Sequence, residues 1–390
     1  MNKINKRKRV YLDYGATTPI DSRVVASMLP YFDQDFGNPS SIHAYGQSAE
    51  GAVQNARDII CGGLNCQQEE VIFTSCGTES DNLALRGVAL AERKRRNANH
   101  ILISPTEHPA VQNTAKQLAS IFGFEIEYLP IDEYGKVKLE KIRDLLRKET
   151  ALISVIYANN EIGTINPIQD IGEICKELDI PFHTDAVQAT TYLTLDVKDL
   201  NVDLLSLGAH KFYGPKGVGA LYKRNNLQIV PIQTGGQHEF DLRAGTHNVP
   251  YIVGMGEAFK IAQIERLTRI AHIKPLRDFL INSILNSVPN SKLTGHPVDR
   301  MPNHASFVFE NVDGNELLML LDVEGYACSS GSACRSGDPK PSEILKSLSL
   351  DDNWALGSLR VTLGTATTRN QIEKFCETLP KILHRIRKNN

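Results

Sequence analysis

The run 203-DLLSLGAHKFYGPKGVGALY-222 places Lys211 directly after an apolar, strand-like segment and before a glycine-rich turn that lets backbone approach a ligand. Desolvation and neighbouring cations lower the pKa of a lysine in such a place, giving the neutral amine that attacks a carbonyl carbon. Asp185 and Gln188 follow another apolar segment in 180-IPFHTDAVQAT-190, where a carboxylate is costly unless it meets a cation. After 71-VIFTS-75 comes 76-CGTESDNLALRG-87, a small-residue turn that runs into a helix. Its unpaired backbone N–H groups and the Thr78 hydroxyl make an anion cradle, although the same residues also suit an ordinary helix start. His108, in TEHPAV, and the Asn159–Asn160 pair, in NNEIG, stand at two further strand ends. A lysine able to form a Schiff base, an acid for a pyridinium nitrogen and a phosphate cradle are the three parts that pyridoxal phosphate requires. A P-loop built on GPKG is the competing possibility, and it fails because no GxxxxGK[ST] spacing is present.

The seven cysteines, at 61, 66, 76, 175, 328, 334 and 376, are odd in number and scattered, unlike the disulfide framework of a small secreted domain. Reduced thiols are expected. None forms a CxxC pair, and the spacing of Cys328 and Cys334 in 326-YACSSGSACRSGDPKP-341 fits no common zinc site. The residues alone leave that pair open between packing and nucleophilic chemistry.

Short apolar runs at 71–75, 100–105, 151–159, 180–186 and 203–209 alternate with helix-like segments and bear all of these groups at their ends. Nearly continuous apolar strands imply a sheet covered on both faces, hence a mostly parallel α/β sheet with its site at the carboxyl ends of the strands. From about Glu257, within 255-MGEAFKIAQIERL-267, a long helical pattern leads into a different texture, ASFVFENV, a helical NELLMLLDVEG, SLRVTLG and a closing amphipathic helix, which predicts a smaller α+β lobe. The expected division is 15–257 for the large lobe, with 1–14 and 258–390 forming the small lobe that carries a cysteine loop at about 326–342. The net charge of -2 argues against nucleic acid as the main partner, and the KRKR run near the start suits a solvated tail. No segment has secretory or transmembrane length, so a cytoplasmic protein without membrane contact is expected.

With these motifs in order, the chain resembles the cysteine desulfurases of the NifS/IscS type, within the class V aminotransferase group of fold-type I pyridoxal-phosphate enzymes. The motifs that carry the resemblance span nearly the whole chain: YLDYGATTP, FGNPSSIHAYG, FTSCGTESDNLA, TEHPAV, NNEIGTINPI, HTDAVQA, AHKFYGPKGVGALY, the GG…RAGT loop, SSGSAC and SLRVTLG. The resemblance implies that Lys211 bonds the cofactor, Asp185 faces the pyridinium nitrogen, Gln188 donates near the phenolic oxygen and His108 stacks on the ring. It further implies phosphate contacts from Gly77, Thr78 and His210, with Thr246 reaching in from the other subunit of a homodimer. Asn160, beside the cofactor, and Arg360 would hold the substrate carboxylate, since a guanidinium fork suits a bidentate contact. SSGSAC ends on the family's nucleophile, so Cys334 is implied as the sulfur carrier and Cys328 as a strand-end packing residue. No resident metal is implied; a transient iron–sulfur ligand role for Cys334 is the sole metal chemistry left open.

Three departures stand out. Gly208 replaces a serine common in relatives, with backbone N–H or Ser206 as the expected substitute for the lost hydroxyl. Gly15 is expected to loosen the YGATTP turn. The sequence closes on HRIRKNN, without the longer tail that many relatives use to dock a scaffold protein, which puts that partner in question. The implied reaction converts L-cysteine to L-alanine, leaving a persulfide on Cys334 for a sulfur-acceptor protein in iron–sulfur assembly or thiolation. A class V aminotransferase or selenocysteine lyase is the alternative that keeps the cofactor, and the SSGSAC loop argues against it. A degenerate scaffold without activity is improbable given an intact Lys211, Asp185 and His108.

Overall fold

The computed structural model describes residues 9–331 and 341–389. Cys334 and most of the KRKR run therefore lie outside the described residues. After a two-residue strand β1 (Val10–Tyr11), seven strands form the central sheet: β2 (Val71–Thr74), β3 (His100–Ile103), β4 (Glu125–Tyr128), β5 (Thr150–Ser154), β6 (Phe182–Asp185), β7 (Leu204–Gly208) and β8 (Gly219–Lys223). Their order is β2-β8-β7-β6-β5-β3-β4. Only β8 runs antiparallel to its neighbours. This is the mostly parallel α/β sheet of fold-type I.

Burial on both faces explains the strand sequences. Ile101 and Ile103 join one apolar layer and Leu102 the other; Val71 and Phe73 likewise alternate with Ile72. The Gly77–Arg96 and Pro109–Phe122 helices cover one face with Leu83, Val88, Val111 and Leu118. The Ala44–Leu64 helix covers the other with Val53 and Ile60. Each such side chain, fully withdrawn from water, contributes about 1.5–3 kcal/mol before entropy is subtracted.

Local signals set the helix starts at the site. Pro109 occupies the first turn of its helix, where its missing N–H costs nothing, and His108 is the N-cap. The Gly77–Arg96 helix carries Glu79 in its first turn and Arg93–Arg96 in its last, matching the macrodipole at both ends. Asn97 closes it in the left-handed region at φ 58°.

A second sheet, β9 (Ser291–Leu293), β10 (His304–Phe309) and β12 (Ser358–Thr362), is antiparallel in the order β12-β10-β9. It packs on Ile372, Phe375 and Leu379 of the Arg369–Asn389 helix. β1 pairs in parallel with β11 (Tyr326–Ala327). The 39-residue Val249–Ser287 helix gives Met255 and Phe259 to the large core and Ile273, Leu280 and Ile284 to the second. The expected division at 257 therefore falls inside a continuous helix. Among the described residues no helix is long and apolar enough to cross a membrane.

Candidate active site

Asp185 ends β6, buried, and its Oδ1 accepts the Val187 N–H at 2.9 Å. Burial pushes this carboxyl up, while His108, the Val187 bond and Lys211 pull it back down. His108 Nδ1 accepts the Ala110 N–H at 3.1 Å, which leaves the proton of the neutral ring on Nε2. Burial lowers the pKa of this ring. Ligand atoms of Asp81, His108 and Asp185 lie within 4.8 Å of one another.

Asp81 was not singled out by its sequence context. It projects from the second turn of the Gly77–Arg96 helix, on the buried face shared with Gly77 and Ala84. A carboxylate within an apolar helix stripe was the available signal. Its Oδ1 has no hydrogen-bond partner among the described residues, and His183 Nε2 stands 3.6 Å away. Burial, with Asp185 adding to it, holds Asp81 well above the usual carboxylate range. Glu107, equally buried, is raised by the same two causes and accepts the Ile156 N–H at 2.6 Å. Carboxylates gathered in a dry site cannot all ionise cheaply, and Asp81 and Glu107, beside Asp185, resist losing their protons.

Lys211 leaves β7 in a short turn, and its Nζ donates to the carbonyls of Gly15 and Ala16, both at 2.7 Å. Burial first, then Arg360, brings its pKa down to about 8, against the opposing pull of Asp13 and Asp185. Gln188 Nε2 donates to the same Gly15 carbonyl at 2.9 Å. His210 Nδ1 lies 3.2 Å from Thr17 Oγ1, and burial followed by Lys211 lowers this ring to about 4. Lysine, glutamine and histidine thus meet on the YGATTP segment.

Two expectations need correction here. Gly15 does not loosen its turn: its N–H donates to Thr362 Oγ1 at 2.7 Å, and an added Cβ would come within 3.1 Å of Thr362 Cγ2. Ser206 does not replace the missing hydroxyl at 208, because it is fully buried and lies 2.9 Å from His183 Nε2. Burial lowers His183 to about 3, so this ring stays neutral between Ser154 and Ser206.

Opposite the lysine, Arg360 on β12 pairs through Nη2 with Asp13 Oδ1 at 3.0 Å and donates from Nη1 to the Asn160 carbonyl at 3.0 Å. It is 7 % exposed, so an ordinary surface ion pair is excluded. Arg360 Nε and Asn160 Oδ1 are buried and have no hydrogen-bond partners among the described residues. Asp13, the counter-ion, was overlooked within YLDYG. The two roots of the Cys334 segment sit on this corner. Ser329 exchanges backbone hydrogen bonds with Arg360 at 3.3 and 2.7 Å, and the Ser342 hydroxyl bonds the carboxylate of Glu161. Cys328 packs against the second core, with burial pushing its thiol far up.

The residues expected to hold the phosphate lie at the start of a helix. Gly77 starts its helix where a Cβ would strike Val187 Cγ2 at 2.6 Å. A Cβ on Gly208 would stand 3.4 Å from the Gly77 nitrogen. Val187 packs against both glycines, and the unpaired N–H groups at the start of the Gly77–Arg96 helix fit a phosphate. Thr78, exposed, lines a cavity of about 410 Å³ with His108 and Asn82. Thr246 is exposed in the single protomer.

Residues 10–375 match the family model described as aminotransferase class-V. The chain belongs to the class-V aminotransferase family. A protein named cysteine desulfurase IscS from Methanosarcina thermophila is 45% identical over 386 residues, covering 99% of this chain and 95% of that relative. Another of the same name, from Clostridium botulinum strain Hall, is 46% identical over 379 residues, covering 96% and 94%. A solved NifS-like protein superposes with a TM-score of 0.90 at 36% identity, covering 96% of this chain and 99% of that one. A structure described as SspA in complex with cysteine superposes with a TM-score of 0.80 at 36% identity, covering 92% and 99%.

This class-V aminotransferase uses pyridoxal phosphate, and its residues fit that group. Lys211 supplies an amine of lowered pKa, Asp185 a buried acid beside His108 and Lys211, and the start of the Gly77–Arg96 helix unpaired N–H groups for the phosphate.

Proposed function

We propose that the chain is a pyridoxal-phosphate-dependent cysteine desulfurase in which Cys334 takes sulfur from L-cysteine and passes it to an acceptor protein. The observation that carries this reading is the seating of both roots of the Cys334 segment on the Asn160–Glu161–Arg360 corner, across from a lysine whose pKa is lowered to about 8. A carrier thiol between those two roots would serve a substrate whose carboxylate Arg360 holds.

Gly77, Thr78, His210 and the Thr246 of the other protomer would hold the phosphate, with Asp185, Gln188, His108 and Asn160 around the ring. When bound, pyridoxal phosphate supplies the electron sink that makes the substrate α-proton acidic. Arg360 would turn its fork to the substrate carboxylate, with its unpaired Nε as a further donor. The neutral amine of Lys211 takes the α-proton at Nζ and returns a proton to the carbon skeleton. Cys334, as thiolate, attacks the substrate sulfur; an S–S bond forms as the C–S bond breaks, and alanine leaves. Cysteine plus enzyme thiol becomes alanine plus enzyme persulfide, and no outside oxidant is required.

Homodimerisation is part of the proposal. Leu29, Phe32, Phe36, Ile42 and Tyr45 are between 56% and 92% exposed, an apolar surface along residues 29–45 that a second copy would cover. We also propose the division into a cofactor lobe, 15–257, and a cysteine-loop lobe, 1–14 with 258–390, a cytoplasmic setting, and an acceptor in iron–sulfur assembly or thiolation. The test is production of alanine and reducible sulfide from L-cysteine by the purified protein. Cys334→Ser should abolish both while the yellow colour stays; sulfide from that variant at the parent rate would overturn the assignment.

A further inference from the structure

Glu239 takes no part in the chemistry above, yet every side of its carboxylate is engaged. Oε1 accepts Arg57 Nη2 at 2.7 Å and lies 2.6 Å from His247 Nε2. Oε2 accepts Arg57 Nη1 at 3.0 Å and the Phe73 N–H at 2.6 Å. Arg57 also donates to the Val71 carbonyl and lies over the Phe73 and Phe240 rings, at 4.7 and 5.2 Å. Arg57 is 2% exposed and Glu239 5%. A buried ion pair survives desolvation only when its remaining donors and acceptors are satisfied, and this one is saturated.

The backbone here is unusual. Glu239, Phe240 and Asp241 have φ of 44°, 56° and 64°, three consecutive side-chain-bearing residues in the left-handed region. Such a run persists only where the surroundings over-determine it, and four bonds to one carboxylate do so. The position of the clamp gives it meaning. Phe73 lies on β2, which leads into the Gly77 cradle, while His247 adjoins Thr246. Further along the same loop, Arg243 pairs with Glu79 at 2.8 Å, in the first turn of the helix that Gly77 begins. One loop is thus fastened both to the strand and to the helix that present a protomer's own phosphate donors.

We propose that Glu239 is a positioning residue that fixes the 242–248 loop, and Thr246 with it, for the cofactor phosphate of the partner protomer. Retention of the cofactor in one protomer then depends on a buried ion pair in the other. The inference rests on the reading that Thr246 acts across the dimer.

Mixed dimers test it. One chain keeps Lys211 and holds the cofactor; its partner carries Lys211→Ala, which prevents borohydride from fixing cofactor to that chain. After dilution into a cofactor scavenger, the fraction of Lys211 peptide that borohydride labels is followed with time. Glu239→Gln on the Lys211→Ala chain should speed cofactor loss about tenfold, the weight of one charge-assisted hydrogen bond, whereas on the Lys211 chain, where it touches only the strand leading to Gly77, the effect should be smaller. Thr246→Ala on the Lys211→Ala chain should do the same, and adding Glu239→Gln to it should bring no further loss. His247→Asn, which removes a single bond from the clamp, should give a weaker effect of the same kind if Glu239→Gln does not fold. Faster loss only when Glu239→Gln sits on the cofactor-bearing chain, or none in either place while Thr246→Ala acts, would overturn the role of Glu239 alone. No effect of Thr246→Ala in the partner would overturn the cross-dimer reading and this proposal with it.

Discussion

Lys211 carries the sharpest single-residue expectation. An ordinary lysine amine is almost wholly protonated at neutral pH, whereas one brought down to about 8 is partly neutral. Capture of pyridoxal phosphate by the apo-protein needs the neutral form, so its rate should rise about tenfold per pH unit below the pKa. It should flatten near pH 8, where the burial-lowered lysine loses its proton. Stopped-flow absorbance measures it, and a rise continuing to pH 10 would mean that Lys211 is not desolvated. Arg360→Lys should raise KM for cysteine about tenfold while leaving the colour intact, because a point charge replaces a fork. Most of these side chains were legible because each follows an apolar run directly. Asp81, Glu107 and Asp13 were not, because a carboxylate in TESD, TEH or YLDYG looks like a helix start or a turn until the fold buries it.

Among the elements, the turn from β2 into the Gly77–Arg96 helix is the least forgiving. Gly77→Ala would press a methyl to within 2.6 Å of Val187 Cγ2. Overpacking of this kind should cost about 1–3 kcal/mol, seen as a lower unfolding midpoint, together with faster cofactor loss. Gly208→Ser meets Val187 Cγ1 at 3.3 Å, so a shift of a few tenths of an ångström should admit it without loss of fold. The β5–β6–β7 core offers a pH test. His183 titrates near 3 when folded against 6.5 as an ordinary side chain, so the unfolded chain binds the extra proton in that window. Its contribution to stability is full above 6.5 and declines as pH falls toward 3. His183→Gln should therefore be less stable by about 1–2 kcal/mol at pH 7, from lost hydrogen bonds, with the gap closing in acid. Denaturant unfolding at both pH values decides this, and a gap that stays constant would contradict the buried neutral ring. Strand positions were legible from apolar runs. The reversed direction of β8 was not, because a strand covered on both faces has the same composition either way. The helical pattern at 255–267 was legible, but not its run from Val249 to Ser287, because its buried face changes partner from one core to the other, which blurs a single periodic stripe.

For the assembled protein, the exposed apolar surface and the cross-dimer loop make one expectation. Ile42, 92% exposed, should sit within the contact between copies, so Ile42→Asp should shift sedimentation toward monomer and weaken cofactor retention together. Loss of dimer with retention unchanged would separate the two. The proposed reaction depends on Cys334, an assignment that stands on the SSGSAC motif and on where Ser329 and Ser342 anchor. Intact-protein and peptide mass spectrometry after exposure to L-cysteine addresses it without an acceptor. The peptide bearing Cys334 should gain the mass of one sulfur atom, removable by thiol reductant and absent from Lys211→Ala; sulfur found on Cys328 instead, or on no cysteine while alanine accumulates, would contradict a Cys334 carrier.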